Sequence, residues 1–221
     1  MKSGATQGFY VAAQGGHNNE SHNHNDVGNF IVFHDGEPVL IDVGVETYTA
    51  KTFSAQRYEI WTMQSAWHNT PTVNGVMQSA GRQFEAHAVQ SKSDDGAASF
   101  ELNLERAYPA AAGIQSWRRS ITLNRAAASV QIEDRYQLNR TGPVELNFIT
   151  TREARHTAPG QITLSGGLVL TYDPSLVAVF DEHSSEDARL LPNWGPVVRR
   201  IRLTSATPNA SGLYTVTIKK S

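Results

Sequence analysis

The sequence predicts an all-β protein, a large antiparallel β-sandwich with little helix. Three observations predict it. From residue 84 onward, short segments alternate apolar and polar residues, most strictly over 99–104. A period of two is that of a strand with one buried face. Turn signals separate the segments, among them Asp35-Gly36 and Asn74-Gly75, and Asp/Asn-Gly pairs tolerate the positive φ of a tight hairpin. No stretch carries the 3.6-residue apolar period of an amphipathic helix.

Taken in order, residues 8–14 read as a short strand that Gly15-Gly16 ends. A dense polar cluster follows, then a strand over 30–33. Asp35-Gly36 turns the chain into a return strand over 38–42, which stops at Gly44. Residues 45–63 mix aromatic and polar side chains and read as an irregular loop with one helical turn. A third polar stretch runs from Ser65 to Asn74-Gly75. Strands are then expected over 84–90, 99–104, 115–123, 129–136, 144–151, 161–172, 176–180, 197–203 and 213–218. Residues 181–194 form the one long polar interruption and read as a loop. No internal repeat appears.

The chain of 221 residues is long enough for a real core, and residues 1–221 are read as one domain. Nineteen basic and twenty-one acidic residues give a net charge of −2, with no basic patch, which argues against a nucleic-acid partner. The absence of cysteine excludes disulfides and thiolate metal sites but does not fix a compartment. No apolar run is long enough to span a membrane. Met1-Lys2-Ser3-Gly4 lacks the apolar core of a signal peptide.

The chemistry gathers in the first third. Three of the eight histidines fall between residues 17 and 24, with Asn18, Asn19, Glu20, Asn23, Asn25 and Asp26 around them. Burying such groups costs a few kcal/mol each unless they are paired, so the cluster either binds something or closes a hydrogen-bond network. If His22-Asn23-His24 is extended, its two imidazoles share a face. Asp42 ends the return strand, and His68 opens the third polar stretch. His24, Asp42 and His68 together offer two nitrogens and a carboxylate, a common zinc set with a fourth position open; a satisfied polar network is the other reading. Tyr48 and Tyr58 are candidates for proton transfer, and Arg57 could tune Tyr58 or bind a substrate carboxylate. His17, His34, His87, His156 and His183 read as surface residues. Asp26 or Glu20 could act as a general base in a metal-dependent hydrolase complete within this chain.

Several strings resemble the C-terminal β-domain of the heparinase II/III-like polysaccharide lyases. They are Gly15-Gly16-His17-Asn18, Ser21 through Gly28, Leu40-Ile41-Asp42-Val43-Gly44 with Tyr48, and His68-Asn69-Thr70 before Val73-Asn74-Gly75 with Gln78. Weaker likeness continues through Ala107-Tyr108-Pro109, Trp117-Arg118-Arg119 and Asp134-Arg135-Tyr136. The resemblance implies β-elimination of uronic-acid glycans such as heparan sulfate or alginate, by abstraction of the C5 proton and loss of the 4-oxygen. It implies zinc held by His24, Asp42 and His68, with His22 facing the cleft and Tyr48 or Tyr58 near the substrate. Asn23, Asn25, Arg57 and Asn69 would contact the substrate or orient these groups. It further implies an α/α toroid preceding the sandwich, which this sequence lacks, and hence half an active site, inactive alone. An acidic polysaccharide is the expected partner, and a periplasmic or secreted location goes with the family. The alternative is a non-catalytic carbohydrate-binding sandwich, in which Trp61, Trp67, Trp117 and Trp194 could stack on sugar rings.

Overall fold

The computed structural model describes residues 7–221; the Met1–Gly4 start, read above as lacking a signal-peptide core, lies outside them. The strands are β1 (Phe9–Ala13), β2 (His17–Asn18), β3 (Phe30–His34), β4 (Glu37–Leu40), β5 (Pro71–Val73) and β6 (Gly81–Glu85). There follow β7 (His87–Ser93), β8 (Ala97–Asn103), β9 (Ile114–Asn124), β10 (Ser129–Leu138), β11 (Val144–Thr150) and β12 (Ala154–Ala158). The chain ends with β13 (Gln161–Leu164), β14 (Leu168–Tyr172), β15 (Leu176–Ser184), β16 (Val197–Ser205) and β17 (Ser211–Lys220). Helix α1 (Leu191–Trp194) is a single turn, and the other helical pieces are 3-10 turns, so the chain is all-β.

One sheet has eight strands in the order β12-β13-β14-β17-β10-β9-β8-β7. Facing it lie a three-stranded sheet, β1-β3-β4, and a four-stranded sheet, β15-β16-β11-β5, while β2 and β6 pair alone. Every pairing is antiparallel. The main core joins these layers. Phe9, Phe30 and Val32 of the small sheet, Phe148 and Ile201 of the four-stranded sheet, and Trp117, Ile121 and Ile132 of the large sheet are all buried in it. A second, smaller cluster of Ile41, Val43, Ile149, Leu190 and Val198 carries Trp61, Trp67 and Trp194 on its margin.

Two features of this frame position the site. The first is the β3–β4 hairpin. Asp35 and Gly36 take φ of 53° and 83°, the left-handed pair that a two-residue turn needs. Beyond β4 the chain stays extended, with Ile41 and Val43 buried in the second cluster and Asp42 between them facing the other way. The second feature is a buried ion pair. Arg119 on β9 donates to both oxygens of Asp134 on β10 at 2.9 and 2.8 Å. Its remaining donors reach the carbonyls of Gly28, at 3.1 Å, and Asn69, at 2.6 Å. Trp117 Nε1 completes the shell of Asp134 at 2.7 Å. A buried charge is tolerated only when it is matched and hydrogen-bonded in this way. The pair ties the ends of both polar stretches to the large sheet.

Several sequence expectations are corrected. The alternation over 84–90 is two strands, β6 and β7, divided at Ala86, whose N–H goes to the Gly16 carbonyl; within β7 Ala88 takes φ of 51° and the register with β8 shifts between His87 and Gln90. The alternation over 161–172 is the hairpin β13–β14, broken at Gly166-Gly167, both at positive φ. Residues 181–184 continue β15, and α1 follows, so the polar interruption is only partly loop. Strand β12 is an exposed edge whose solvated side chains show no apolar alternation. Asn74-Gly75 does make a tight turn, closed by Val73 and Val76, but β5 goes on to pair with β11. Residues 22–24 are not a strand. His22 takes φ of 60°, so it does not share a face with His24.

Candidate functional site

The polar cluster is a folded loop held by its own amides. Asn18 is buried and donates to Gln78 Oε1 and to the Ser79 carbonyl, both at 3.0 Å, while its oxygen accepts the Asp26 N–H at 3.2 Å. Gln78 clamps both backbone groups of Val27, at 3.0 and 2.8 Å. The amide of Asn23 reaches Asn25 Oδ1 and the Tyr58 hydroxyl, at 3.4 and 3.3 Å. The Asn25 amide in turn lies 3.4 Å from the Gln78 carbonyl. The expected closed hydrogen-bond network is therefore present. It carries His22 and His24 on its loop.

His24, Asp42 and His68 come together, with one ligand atom from each lying within 4.8 Å of the others. His68 is fully buried, and its Nε2 lies 3.1 Å from the Thr62 carbonyl. A carbonyl only accepts, so this nitrogen carries the proton and Nδ1 faces inward. Nδ1 lies 3.6 Å from Asp42 Oδ2. A ring lone pair and a carboxylate oxygen repel at that distance unless a proton or a cation lies between them. A proton shared by the pair meets that need, and so does a metal: the donor set fits a divalent cation of the zinc type, with the Thr62 carbonyl placed to fix the tautomer of a ligating imidazole. Asn29 Nδ2 donates to Asp42 Oδ2 at 2.8 Å, and Gly44 N–H caps Oδ1 at 2.8 Å. Asp42 thus serves both as a turn cap and as a member of the cluster.

Without a metal, charge joins His68 to Asp42. Burial would raise the pKa of Asp42, but the neighbouring His68 and the Gly44 N–H hold it well below the usual carboxylate range. Burial works against charge on His68, yet the Asp42 carboxylate keeps its pKa above the ordinary value. Burial and the charge of His68 push His24 down to about 4. Burial pushes Asp26 up to about 6.

A cavity of about 520 Å³ opens beside the cluster, lined by Gln14 through His17, by residues 20–24, and by Asp26, Asp42 and Tyr48 among others. His22 is exposed on its rim. Its ring stacks parallel to that of Tyr48, with centroids 6.1 Å apart, and the Tyr48 hydroxyl lies 3.4 Å from His22 Nδ1. Tyr58 does not line the cavity and meets the site through Asn23. Arg57 spends its guanidinium on the carbonyls of Asn23, at 3.0 and 2.9 Å, and Thr52, at 2.8 Å. It staples the loop rather than offering a free fork to a carboxylate. Asn69 is fully buried. It donates to the carbonyls of Phe30 and Ile41 and accepts the N–H of Ile149 at 2.7 Å, so it has no polar atom left for a substrate.

The isolated histidines are not plain surface residues. His17 lies 3.0 Å from Glu20, His34 packs edge-on against Phe9, His87 pairs with Glu105, and His183 lies over Trp61 with centroids 3.9 Å apart. His156 alone of the five is fully exposed. Trp117 is buried on Asp134 and cannot stack on a sugar; Trp61, Trp67 and Trp194 pack on the second core cluster. Sequence reasoning missed Asn29 and the Thr62 carbonyl. A polar residue directly before the apolar run of β3 was the available signal for Asn29. A backbone carbonyl leaves none.

Comparison with known proteins follows the same lines. The family profile described as heparinase II/III-like, C-terminal, matches residues 5–195. The fold is similar to that of the heparan sulfate lyase HepC from Pedobacter heparinus, with a TM-score of 0.70, 14% identity, and coverage of 97% of this chain and 35% of that one. It is also similar to a structure titled heparinase III, with a TM-score of 0.65, 16% identity, and coverage of 97% and 36%. This chain therefore spans about a third of the length of those structures. No curated protein sequence matches it. A profile match over most of the chain, joined to a shared all-β fold, shows that this chain belongs to the heparinase II/III-like C-terminal domain family.

Proposed function

We propose that this chain is the β-domain of a polysaccharide lyase that cleaves uronic-acid glycans by β-elimination, and that it supplies a zinc site and one wall of the substrate cleft. The observation that carries the metal reading is the meeting of His68 Nδ1 and Asp42 Oδ2 at 3.6 Å, with His24 beside them. Zinc, when bound, would supply the positive charge that joins three loops far apart in sequence and would hold the cavity open. The chain's own residues do the rest. His22 and Tyr48 share the rim, within 3.4 Å of each other, where one can hold a proton for the other. Arg57 and Asn23 fix the loop that carries His22. Support for the substrate class comes from the family and from relatives described as heparan sulfate lyase and heparinase III. An exported setting, periplasmic or secreted, goes with such a substrate. The domain works as part of a larger enzyme, in keeping with the longer relatives.

Elemental analysis of the purified chain tests the metal. About one zinc per chain is expected, lost in His24→Ala. A well-folded wild-type chain without metal after zinc loading would leave only the hydrogen-bond network and refute the site.

A further inference from the structure

The cavity is poor in fixed positive charge. Glu20, Asp26 and Asp42 line it, and no lysine or arginine does. An acidic glycan entering there needs a cation near the mouth. Arg57 is spent on backbone carbonyls. The guanidinium of Arg189 lies over the ring of Tyr48, a lining residue, 5.1 Å from its centroid.

Arg189 arrives from a distant part of the chain, the segment between β15 and β16, and that segment is built to stay. Asp187 accepts the Thr47 N–H at 2.9 Å, one residue before Tyr48, and also the N–H groups of Arg189 and Leu190 at 2.9 and 3.2 Å. Leu190 is buried in the second core cluster, and Trp194 Nε1 donates to the Val43 carbonyl at 2.8 Å. Among the described residues the Arg189 side chain makes no ion pair with a carboxylate. A cation–π contact engages the charge and leaves planar N–H donors for an anion, the geometry suited to carboxylate or sulfate.

We propose that Arg189, held on Tyr48, binds an anionic substituent of the glycan, carboxylate or sulfate, beside the rim that His22 and Tyr48 share. This inference rests on the glycan reading above. It adds a specificity contact delivered by a loop that the sequence pattern marks only as polar.

The test titrates the full chain with a heparan sulfate tetrasaccharide and with its unsulfated counterpart, by calorimetry at several salt concentrations. Arg189→Gln is expected to weaken binding about tenfold, the loss of one exposed charge-assisted pair. It should also lower the salt dependence of log K by up to about one contact. Arg189→Lys should keep the salt dependence and recover part of the affinity. Loss confined to the sulfated ligand assigns sulfate; loss with both ligands assigns carboxylate. Wild-type binding that Arg189→Gln leaves unchanged overturns the role of Arg189 while the proposed function stands. Weaker binding with an unchanged salt slope shows that Arg189 only packs on Tyr48, and also overturns it. A wild-type chain that binds neither ligand overturns the glycan reading itself, and Arg189 with it.

Discussion

Asn69 and His68 are neighbours in the chain with different tasks. The Asn69 side chain joins β3, the end of β4 and β11 through the carbonyls of Phe30 and Ile41 and the N–H of Ile149. Asn69→Ala strands three buried groups at about 1–3 kcal/mol each, so a loss of roughly 3 kcal/mol or more is expected. Denaturant unfolding should show the same loss with zinc and with a chelator. His24→Ala should lower stability chiefly when zinc is present, because it removes ligand-linked stabilisation. Equal losses in both conditions for His24→Ala would count against a metal.

The pH dependence of the chelated protein belongs to the same scale. The folded pKa of His24, about 4, lies below its ordinary 6.5. The unfolded chain therefore binds more protons between those values, and this group makes stability rise with pH from 4 to 6.5. The folded pKa of Asp26, about 6, lies above its ordinary 3.8. It acts in the opposite sense, and stability falls as pH rises from 3.8 to 6. Each shift is worth about 3 kcal/mol, so the two nearly cancel in the wild type. Asp26→Asn should expose the rise, and His24→Gln should expose the fall. Stability curves against pH that do not separate in this way would contradict the burial assigned to the two groups. Side-chain types near an apolar strand made His24, Asp42 and His68 legible in the sequence. What sequence could not give was direction. Arg57 and Asn69 have the right chemistry for a substrate, but their donors turn toward backbone carbonyls.

At the scale of elements, alternation made the long strands legible because each has one wet face and one buried face. It failed where that physics fails: at the solvated edge β12, at the left-handed Ala88 within β7, and in the loop of His22. The contact that matters most to the site also escaped it. Arg119 on β9 holds the carbonyls of Gly28 and Asn69, next to the two polar stretches, while it pairs with Asp134. Arg119→Met leaves Asp134 buried without its partner and should cost about 3–5 kcal/mol. Adding Asp134→Leu should recover much of that loss, because the unpaired charge is gone. Zinc affinity should remain weakened in the double variant, because the loop ends still lack their donor. Full recovery of zinc binding would show that Arg119 serves the core and not the site.

At the scale of the molecule, the sandwich presents the cavity as one open wall. Elimination needs a base at the uronate C5–H, an acid at the departing oxygen and charge neutralisation at the carboxylate, all held in one geometry. This chain brings His22 and Tyr48 to one rim, while Tyr58 meets the site only through Asn23. In the proposed enzyme the rest of the cleft comes from outside this domain, in keeping with relatives about three times its length. Positioning supplies a large share of such a rate, and on that proposal this domain alone forfeits it. The chain alone should therefore bind an acidic oligosaccharide yet release no unsaturated uronate, followed by its ultraviolet absorbance over a long incubation with zinc present. Rapid product formation would show that His22 and a tyrosine of this domain complete the acid–base pair by themselves. In that case His22→Ala should abolish the product while leaving zinc bound, because His22 stands on the rim and lies outside the proposed metal set of His24, Asp42 and His68.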